Sequence, residues 1–352
     1  MTNNTYLQWL AKETPTRWWH DSAIPSEIDA ALKEGALGVT TNPVLTFKAF
    51  QADPGYWEPF ISNLGDTLSF EERAEALLKV VATSAAKKCE RVFKETSGAH
   101  GYALGQLNPS NAGNAGAMVA QARRIHGWAP NIAIKLPATK AGLEVIEEIA
   151  SEGIAICATI NVSVSQAIAV AEQYEKGVKK ALKNGIDPRL CLVVQQIGRL
   201  DDYLRDISKD MGLGLDESDI IQAGIAVAKR SYKIFKQKKY KSIIMPAGLR
   251  GLYHLTEMAG AEVTYTLHPR IQNMLKEKEL KKETRIEIPV DKKVIGRLRK
   301  IPEFVRAYEP DGMKPREFIA YGLTQKILTQ FVETGWAMLE TYGSKASSAR
   351  WT

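Results

Sequence analysis

The sequence of 352 residues predicts an α/β protein, a (β/α)8 TIM barrel with additional C-terminal helices. Eight short runs rich in valine, isoleucine and threonine, separated by longer helix-like segments, are the basis of this prediction. A doubly wound open sheet is the alternative, but no glycine-rich fingerprint follows the first strand to support it. Disordered and fibrous classes are excluded, since 45% of the residues are hydrophobic and 25% are charged.

The strands are predicted from apolar runs that end in turn-forming residues. Because a helical pattern follows each run, the strands should pair in parallel. A barrel built from them ends near Pro269, which matches the roughly 250 residues typical of this fold. The predicted strands are Arg17–Ser22, Gly38–Pro43, His100–Asn108, Ile132–Ala138, Ile156–Ser163, Cys191–Gly198, Ser242–Leu249 and Glu262–Pro269.

Capping signals mark the beginnings of three helices between these strands. Residues 69–72, with the sequence SFEE, form a capping box that opens a long amphipathic helix. Thr139 can cap a helix over Lys140–Ser151, and either Ser163 or Ser165 can start the next one.

The chain is predicted to divide into a barrel over residues 1–275 and a C-terminal helical extension over residues 276–352 that packs on the barrel. Met313–Tyr342 carries apolar side chains at helical spacing, which predicts one long helix with an apolar face. We expect that face to pack on the barrel or on another subunit rather than to bind a ligand. It is compatible with a homo-oligomer and with a monomer.

The N-terminus and the cysteines predict a cytoplasmic protein. Met1–Tyr6 is polar and lacks the charged-then-apolar build of a signal peptide. No stretch approaches the ~18 consecutive apolar residues that a membrane helix needs. The three cysteines lie far apart, without a disulfide framework or a paired metal spacing.

The formal net charge of +7 raises the question of a nucleic-acid partner. Six lysines and one arginine between Lys229 and Lys241, with no acid among them, account for the whole excess. Ile234 and Phe235 lie within this run, as on an amphipathic helix with a solvated outer face. Because no nucleic-acid-binding motif accompanies the run, we predict no nucleic-acid partner. We also predict no membrane partner.

Lys135 and Asp21 are the strongest candidates for catalysis, because reacting groups in such barrels lie at the carboxyl ends of strands. Lys135 interrupts the apolar strand Ile132–Ala138, and burial lowers the pKa of a lysine. The neutral amine can attack a ketone and form a Schiff base; a lysine that reaches the rim or pairs with a carboxylate is the equal alternative. Asp21 ends the first strand and can shuttle protons, or cap the next helix.

Polar residues close several other strands. Asn42 and Asn161 can hydrogen-bond substrate hydroxyls, although either alone is more often a turn residue. Arg199 and Arg250 follow adjacent strands beside helix N-termini, which favours a pocket for a phosphate or another anion. The five histidines show no metal-ligand spacing, and no zinc, P-loop or nucleophilic-serine motif stands out.

With these residues placed, the chain resembles the transaldolase family of Schiff-base aldolases, which includes fructose-6-phosphate aldolases. The matching segments follow the family order over most of residues 21–275, and the terminal helical region is similar to that of the longer members. The segments are Gly38–Pro43, Ile134–Thr139, Ile160–Ser163, Ile197–Arg199, Met245–Arg250 and Met258–Ala261.

The resemblance implies that Lys135 is the Schiff-base lysine on the fourth strand and that Asp21 is the acid/base aspartate. The implied reaction moves a dihydroxyacetone unit from a ketose phosphate to an aldehyde acceptor, without a metal or an organic cofactor. Sugar phosphates, a ketose donor and an aldose acceptor, are the implied partners. The matched substrate ligands are Asn42 and Asn161 for hydroxyl groups and Arg199 and Arg250 for phosphate.

Four positions depart from the family pattern. Gln106 stands where a transaldolase is expected to carry the glutamate that activates water, and glutamine there is similar to the fructose-6-phosphate aldolase branch. That branch is expected to carry a tyrosine where this chain has Gln196, a further substrate-site candidate. Ser163, a catalytic candidate together with Gln106, replaces a threonine and keeps the hydroxyl. Gly248 replaces a phosphate-contacting serine.

Three functions are compatible with these residues, and the one that we predict is transfer of a dihydroxyacetone unit to an aldehyde acceptor. The chain length and the terminal helix favour transfer, whereas Gln106 favours aldol cleavage that releases free dihydroxyacetone. A non-catalytic sugar-phosphate-binding barrel is the third; the presence of both Lys135 and Asp21 argues against it.

Overall fold

The computed structural model describes residues 5–65 and 67–343, and within them eight parallel strands alternate with helices. The strands form one sheet in the order β7-β6-β5-β4-β3-β2-β1-β8, and β7 and β8 lie beside each other, so the sheet curls into a barrel. The predicted (β/α)8 TIM barrel is confirmed. The strands are β1 (Arg17–His20), β2 (Gly38–Val39), β3 (Tyr102–Gln106), β4 (Ile132–Pro137), β5 (Ile156–Asn161), β6 (Cys191–Gln195), β7 (Ile243–Pro246) and β8 (Thr264–Leu267).

Helices surround the barrel and extend beyond its last strand. A 3₁₀ turn over Pro109–Asn111 follows β3, and a π-helix over Val332–Trp336 lies near the C-terminus. The α-helices are α1 (Tyr6–Glu13), α2 (Pro25–Lys33), α3 (Pro43–Ala52), α4 (Pro54–Ile61), α5 (Phe70–Glu95), α6 (Ala115–His126), α7 (Lys140–Ser151), α8 (Val164–Lys183), α9 (Ile197–Asp210), α10 (Glu217–Ile220), α11 (Ala223–Lys238), α12 (Tyr253–Thr256), α13 (Pro269–Glu277), α14 (Lys292–Leu298), α15 (Pro302–Tyr308), α16 (Pro315–Phe318), α17 (Gly322–Phe331) and α18 (Ala337–Thr341).

The three capping predictions are confirmed. The Ser69 hydroxyl accepts from the backbone N–H of Glu72 at 3.3 Å, and the Glu72 carboxylate accepts from that of Ser69 at 2.9 Å, at the start of α5. Thr139 caps α7. Of the two serines that could start α8, Ser163 is the cap, because its Oγ accepts from the backbone N–H of Gln166 at 3.1 Å.

The prediction of one long helix over Met313–Tyr342 is wrong. The chain turns between α16 and α17, where Gly322 packs so closely on Tyr203 that a Cβ would lie 2.3 Å from the phenol oxygen. The π-helix then separates α17 from α18. A hydrophobic spacing marks the buried face of such a segment, but contacts with distant residues decide where it bends.

The predicted domain boundary at residue 275 falls inside α13, and the division into barrel and extension stays a prediction. The first residues of the predicted barrel unit, Met1–Asn4, lie outside the described residues, and so do the last residues of the predicted extension, 344–352. Over the described ranges, none of the helices has the length and apolar character needed to cross a bilayer.

Alternation along the strands brings Lys135 into the barrel. Leu104 and Ala133 belong to an apolar cluster inside the barrel. Because successive side chains of a strand point to opposite sides, residues two positions further on, Gln106 and Lys135, face the same interior. Gln106 and Lys135 are also register partners on the adjacent strands β3 and β4. The interior of the barrel is thus apolar around Leu104 and Ala133 and polar at the carboxyl ends of the strands, where Gln106 and Lys135 lie.

Candidate active site

A cavity of about 430 Å³ opens at the carboxyl ends of the strands. Each of the eight strands, or the loop that follows it, contributes to its lining, as expected for the functional face of such a barrel. Six of the nine site residues predicted from the sequence line this cavity: Asp21, Asn42, Lys135, Gln196, Arg199 and Arg250.

Lys135 lies in the depth of this cavity with only 4% of its surface exposed. Burial lowers the pKa of its amine, an effect that Arg199 strengthens and that Cys157 and Asp21 partly oppose. Among the described residues, no side chain forms an ion pair or hydrogen bond with its Nζ. The lysine is therefore buried without a fixed partner, which is the condition for a reactive neutral amine.

Asp21 follows β1 and keeps part of its surface accessible from the cavity. The surrounding protein raises the pKa of this carboxyl by desolvation, while Lys135 and His268 act in the opposite direction. Its backbone N–H donates to the carbonyl of Leu267 at 3.0 Å, which ties the end of β1 to β8. The N-cap of α2 is Ile24, so Asp21 does not serve as the cap that was its alternative role.

Close approach of the first turn of α9 to the loop after β7 brings Arg199 and Arg250 to one side of the cavity. A Cβ on Gly198 would lie 2.2 Å from the carbonyl oxygen of Gly248, so only glycine permits this approach. Gly248 itself has a φ of +66°, where an L-residue such as serine is strained. Arg250 is held in place because its Nε donates to Asp202 at 2.6 Å and its Nη1 donates to the Gly248 carbonyl at 2.9 Å.

Further cationic side chains line the cavity beside these two arginines. Lys48 on α3 and Arg270 on α13 are exposed at the opening, and Arg270 Nη2 donates to the backbone carbonyl of Arg250 at 2.9 Å. Within the described lining, Asp21 is the one carboxylate. The cavity therefore carries a strong excess of positive charge, which attracts anions.

The two predicted asparagines lie differently. Asn42 lines the cavity and caps α3, because its Oδ1 accepts from the backbone N–H of Leu45 at 2.9 Å. Asn161 is fully buried and is not among the lining residues, yet neither its Oδ1 nor its Nδ2 has a partner within the described chain. It follows Ile160, whose φ of +57° is strained for a β-branched residue.

Gln106 and Ser163 also lie outside the lining residues. Gln106 is 3% exposed, and its Oε1 has no partner in the described structure. Ser163 is occupied at the start of α8: besides its capping bond, its hydroxyl donates to Gln166 Oε1 at 3.1 Å. The structure thus places Gln106 beside Lys135 in register but brings Ser163 into a local cap.

The sequence profile of the transaldolase/fructose-6-phosphate aldolase family matches residues 18–314. The chain belongs to this family. A transaldolase of Neisseria gonorrhoeae is 30% identical over 215 residues, which are 60% of this chain and 59% of the relative. Transaldolase 2 of Streptomyces avermitilis is 29% identical over 240 residues, 65% of this chain and 64% of that protein. The chain therefore spans about three fifths of the length of these curated relatives.

This transaldolase-family cavity contains residues that the sequence analysis did not assign to it. Arg270 follows β8 just as Arg199 and Arg250 follow β6 and β7, so its position at a strand end was the available signal. Lys48 had no such signal, because it lies one turn into α3. His268, which directly follows β8, is exposed and also lines the cavity.

The C-terminal helix α17 also contributes to the site of this transaldolase-family chain, although it was expected only to pack. Gln330 and Phe331, at its end, line the cavity. The Lys135 Nζ lies 5.9 Å from the centre of the Phe331 ring, and Arg199 Nη1 donates to Gln330 Oε1 at 2.5 Å. The helical spacing of apolar residues in this segment indicated that one face is buried, but it did not indicate which parts of the barrel that face contacts.

Proposed function

We propose that this chain is an enzyme that transfers a dihydroxyacetone unit from a ketose phosphate to an aldehyde acceptor through a Schiff base on Lys135. One observation carries the proposal: a buried lysine with a lowered pKa shares a single cavity with a carboxylate and several arginines. Family membership and the transaldolase names of the relatives support it.

In the proposed reaction, the neutral amine of Lys135 attacks the ketone carbon, and loss of water with uptake of one proton leaves an iminium ion. The iminium accepts the electron pair of the neighbouring carbon–carbon bond when Asp21 removes the proton of the adjacent hydroxyl. An aldehyde phosphate departs, and a three-carbon enamine stays on Lys135. Attack of this enamine on an acceptor aldehyde, followed by hydrolysis, completes the transfer.

The cationic side of the cavity supports binding of the phosphate group in this scheme. Guanidinium groups recognise phosphate through charge-assisted hydrogen bonds, and Arg199 and Arg250 both face one cavity. We assign substrate hydroxyl groups to Asn42, Gln196 and Asn161. The unpartnered amide of Asn161 supports its assignment, because a buried polar group without a partner costs free energy that a ligand or a water can recover.

Aldol cleavage with release of free dihydroxyacetone is the second candidate function. It is favoured by Gln106, whose amide cannot act as the base that activates water, and by the absence of a second carboxylate from the described lining. We propose that Gln106 positions water by hydrogen bonding and that Ser163 acts through its hydroxyl. A barrel that only binds sugar phosphates is the third candidate.

We further infer a cytoplasmic location and no nucleic-acid partner. All three cysteines are free and buried, as is usual for proteins of reducing compartments. Part of the basic run on α11 is already neutralised: Lys229 contacts Glu257 at 3.4 Å, and Lys236 contacts Glu262 at 2.9 Å.

The proposal is tested by incubation with fructose 6-phosphate, reduction with borohydride and peptide mass spectrometry. We expect a reduced three-carbon adduct on Lys135. Free dihydroxyacetone that appears without an acceptor aldehyde would favour aldol cleavage. If neither this ketose nor other anionic ketoses label Lys135, while a transaldolase processed in parallel is labelled, both enzymatic functions are wrong.

We expect Arg199→Ala to raise the KM for the phosphorylated donor about 10- to 100-fold, since a hydrogen bond between charged groups contributes about 1.5–3 kcal/mol. The KM for an unphosphorylated ketose should change little. Steady-state kinetics with both donors measure this difference. Lys209→Ala is the matched control, because Lys209 is an exposed cation on the same helix α9 but outside the cavity lining. Equal effects of Arg199→Ala on both donors would contradict the assignment of phosphate to this side.

A further inference from the structure

The C-terminal segment covers the open end of the barrel. Helix α17 contacts β5, the 3₁₀ turn after β3 and α9 after β6, and the π-helix that follows contacts α3 after β2. Gly335 of the π-helix fits against α3 so closely that a Cβ would lie 2.9 Å from Pro43 Cβ. Such π-helical turns are frequent at functional sites. We call α17 and the π-helix, Gly322–Trp336, the roof.

Phe331 is the point at which the roof reaches the reactive lysine. Its side chain is 5% exposed and faces Nζ of Lys135 across 5.9 Å. It is also the one phenyl ring in the described lining of the cavity. The position directly after β6, where the fructose-6-phosphate aldolase branch is expected to carry a tyrosine, is occupied by Gln196 in this chain. An apolar ring at this distance limits the approach of water to a carbon atom bound to Nζ.

Gln330 connects the roof to the cationic side of the cavity. Its Oε1 accepts a hydrogen bond from Arg199 Nη1, although the rest of the side chain is exposed. A guanidinium has five N–H donors, so the two acceptors compete only at Nη1. A phosphate that binds this edge of Arg199 forms the stronger, charge-assisted bond and displaces the neutral amide oxygen of Gln330. An anion at Arg199 and the Gln330 contact therefore weaken each other.

We propose that Gln330 and Phe331 determine the fate of the three-carbon enamine on Lys135, an inference that rests on the proposed function. While no phosphate occupies Arg199, Gln330 holds the roof down and Phe331 keeps water from the enamine. When a phosphorylated acceptor arrives, its phosphate displaces Gln330, the roof loosens, and water reaches the product imine. The pair thereby favours transfer over premature release.

The step that the roof suppresses is hydrolysis of the bound three-carbon unit. The enamine carbon takes up a proton and becomes the iminium form, water adds to the iminium carbon, and the C–N bond to Lys135 breaks. Free dihydroxyacetone leaves, and Nζ regains its electron pair as a neutral amine. No oxidant or reductant takes part.

The test uses the full chain charged with fructose 6-phosphate and freed of glyceraldehyde 3-phosphate by rapid gel filtration. The decay of the three-carbon adduct is followed by borohydride quenching and intact mass, with and without inorganic phosphate. Gln330→Ala and Phe331→Ala are compared with the wild type. Phe331→Leu keeps most of the buried apolar volume in case the alanine variant is unstable. Thr329→Ala is the control, because Thr329 lies on α17, is exposed and does not line the cavity.

In the wild type we expect slow decay that phosphate accelerates roughly tenfold or more, the range of one charged hydrogen bond. Gln330→Ala should decay fast with or without phosphate, both Phe331 variants should decay faster than the wild type, and Thr329→Ala should match the wild type. An adduct that forms but decays equally in the wild type and Gln330→Ala overturns this inference alone. Failure of the wild type to form any adduct overturns the proposed function and this inference with it.

Discussion

Replacing Lys135 by methionine is expected to reduce turnover of the ketose phosphate by at least about 10⁴-fold, because the proposed covalent intermediate forms on this amine. Methionine keeps most of the volume and the unbranched shape of lysine, so the cavity should retain its form. Turnover is measured with an acceptor aldehyde present, and borohydride should leave no adduct on the variant.

The same substitution is expected to leave the free energy of unfolding equal to that of the wild type or higher. Burial lowers the pKa of Lys135 in the folded chain, so around neutral pH the unfolded chain holds this proton more tightly. The amine therefore destabilises the folded chain at pH values below the pKa that it has in the unfolded chain. At pH values above that pKa this destabilisation disappears. Denaturant titration at pH 7 measures the difference.

Two results would contradict these expectations for Lys135. Residual turnover above about one hundredth of the wild type would mean that another group carries the covalent step. A large loss of stability would mean that the amine has a stabilising partner in the fold. Lys180→Met provides the control, because Lys180 is an exposed lysine that pairs with Glu147 between two outer helices of the barrel.

Asp21→Asn is expected to lower the rate of carbon–carbon bond cleavage about 10²- to 10⁴-fold, the usual contribution of a positioned acid or base. Imine formation by Lys135 should continue, because the amine is untouched. The trapped species should therefore change from a three-carbon adduct to one that carries the complete ketose phosphate. Rapid-quench mass spectrometry measures the ratio of the two adducts.

The control for this substitution is Asp210→Asn, an exposed carboxylate at the end of α9 outside the cavity lining. A three-carbon adduct that still dominates in Asp21→Asn at early times would show that another group removes the hydroxyl proton. Stability gives a second check: the pKa of Asp21 is raised in the fold, so its charge destabilises the folded chain at neutral pH. The asparagine variant should therefore be no less stable than the wild type.

The barrel and the end of it that holds the cavity were predictable because they depend on local patterns. Buried parallel strands appear as apolar runs, and Lys135 stood out because a charge interrupts one of them. Positions at the ends of predicted strands likewise indicated four site candidates, all of which line the cavity with Lys135: Asp21, Asn42, Arg199 and Arg250. Their chemical roles stay predictions that the substitutions above will test.

Other features of the site could not be predicted, because they depend on distant parts of the chain. The apolar spacing of α17 showed that one face is buried, but it does not encode the angle at which the helix crosses the barrel. The contact between Gln330 and Arg199 arises only when that angle is set. Similarly, Gly198 has no sequence signal of its own until the Gly248 carbonyl lies against it.

Local patterns in the sequence were sufficient to predict the (β/α)8 architecture, the strand that carries Lys135 and the end of the barrel that holds the cavity. These properties follow from side-chain periodicity and from turn residues, which act within a few residues of one another. The tertiary structure was needed to show that Gly198 and Gly248 let two arginines converge and that Phe331 lies over Lys135. Such contacts join residues far apart in the chain, and their geometry is set by how the helices pack on the barrel.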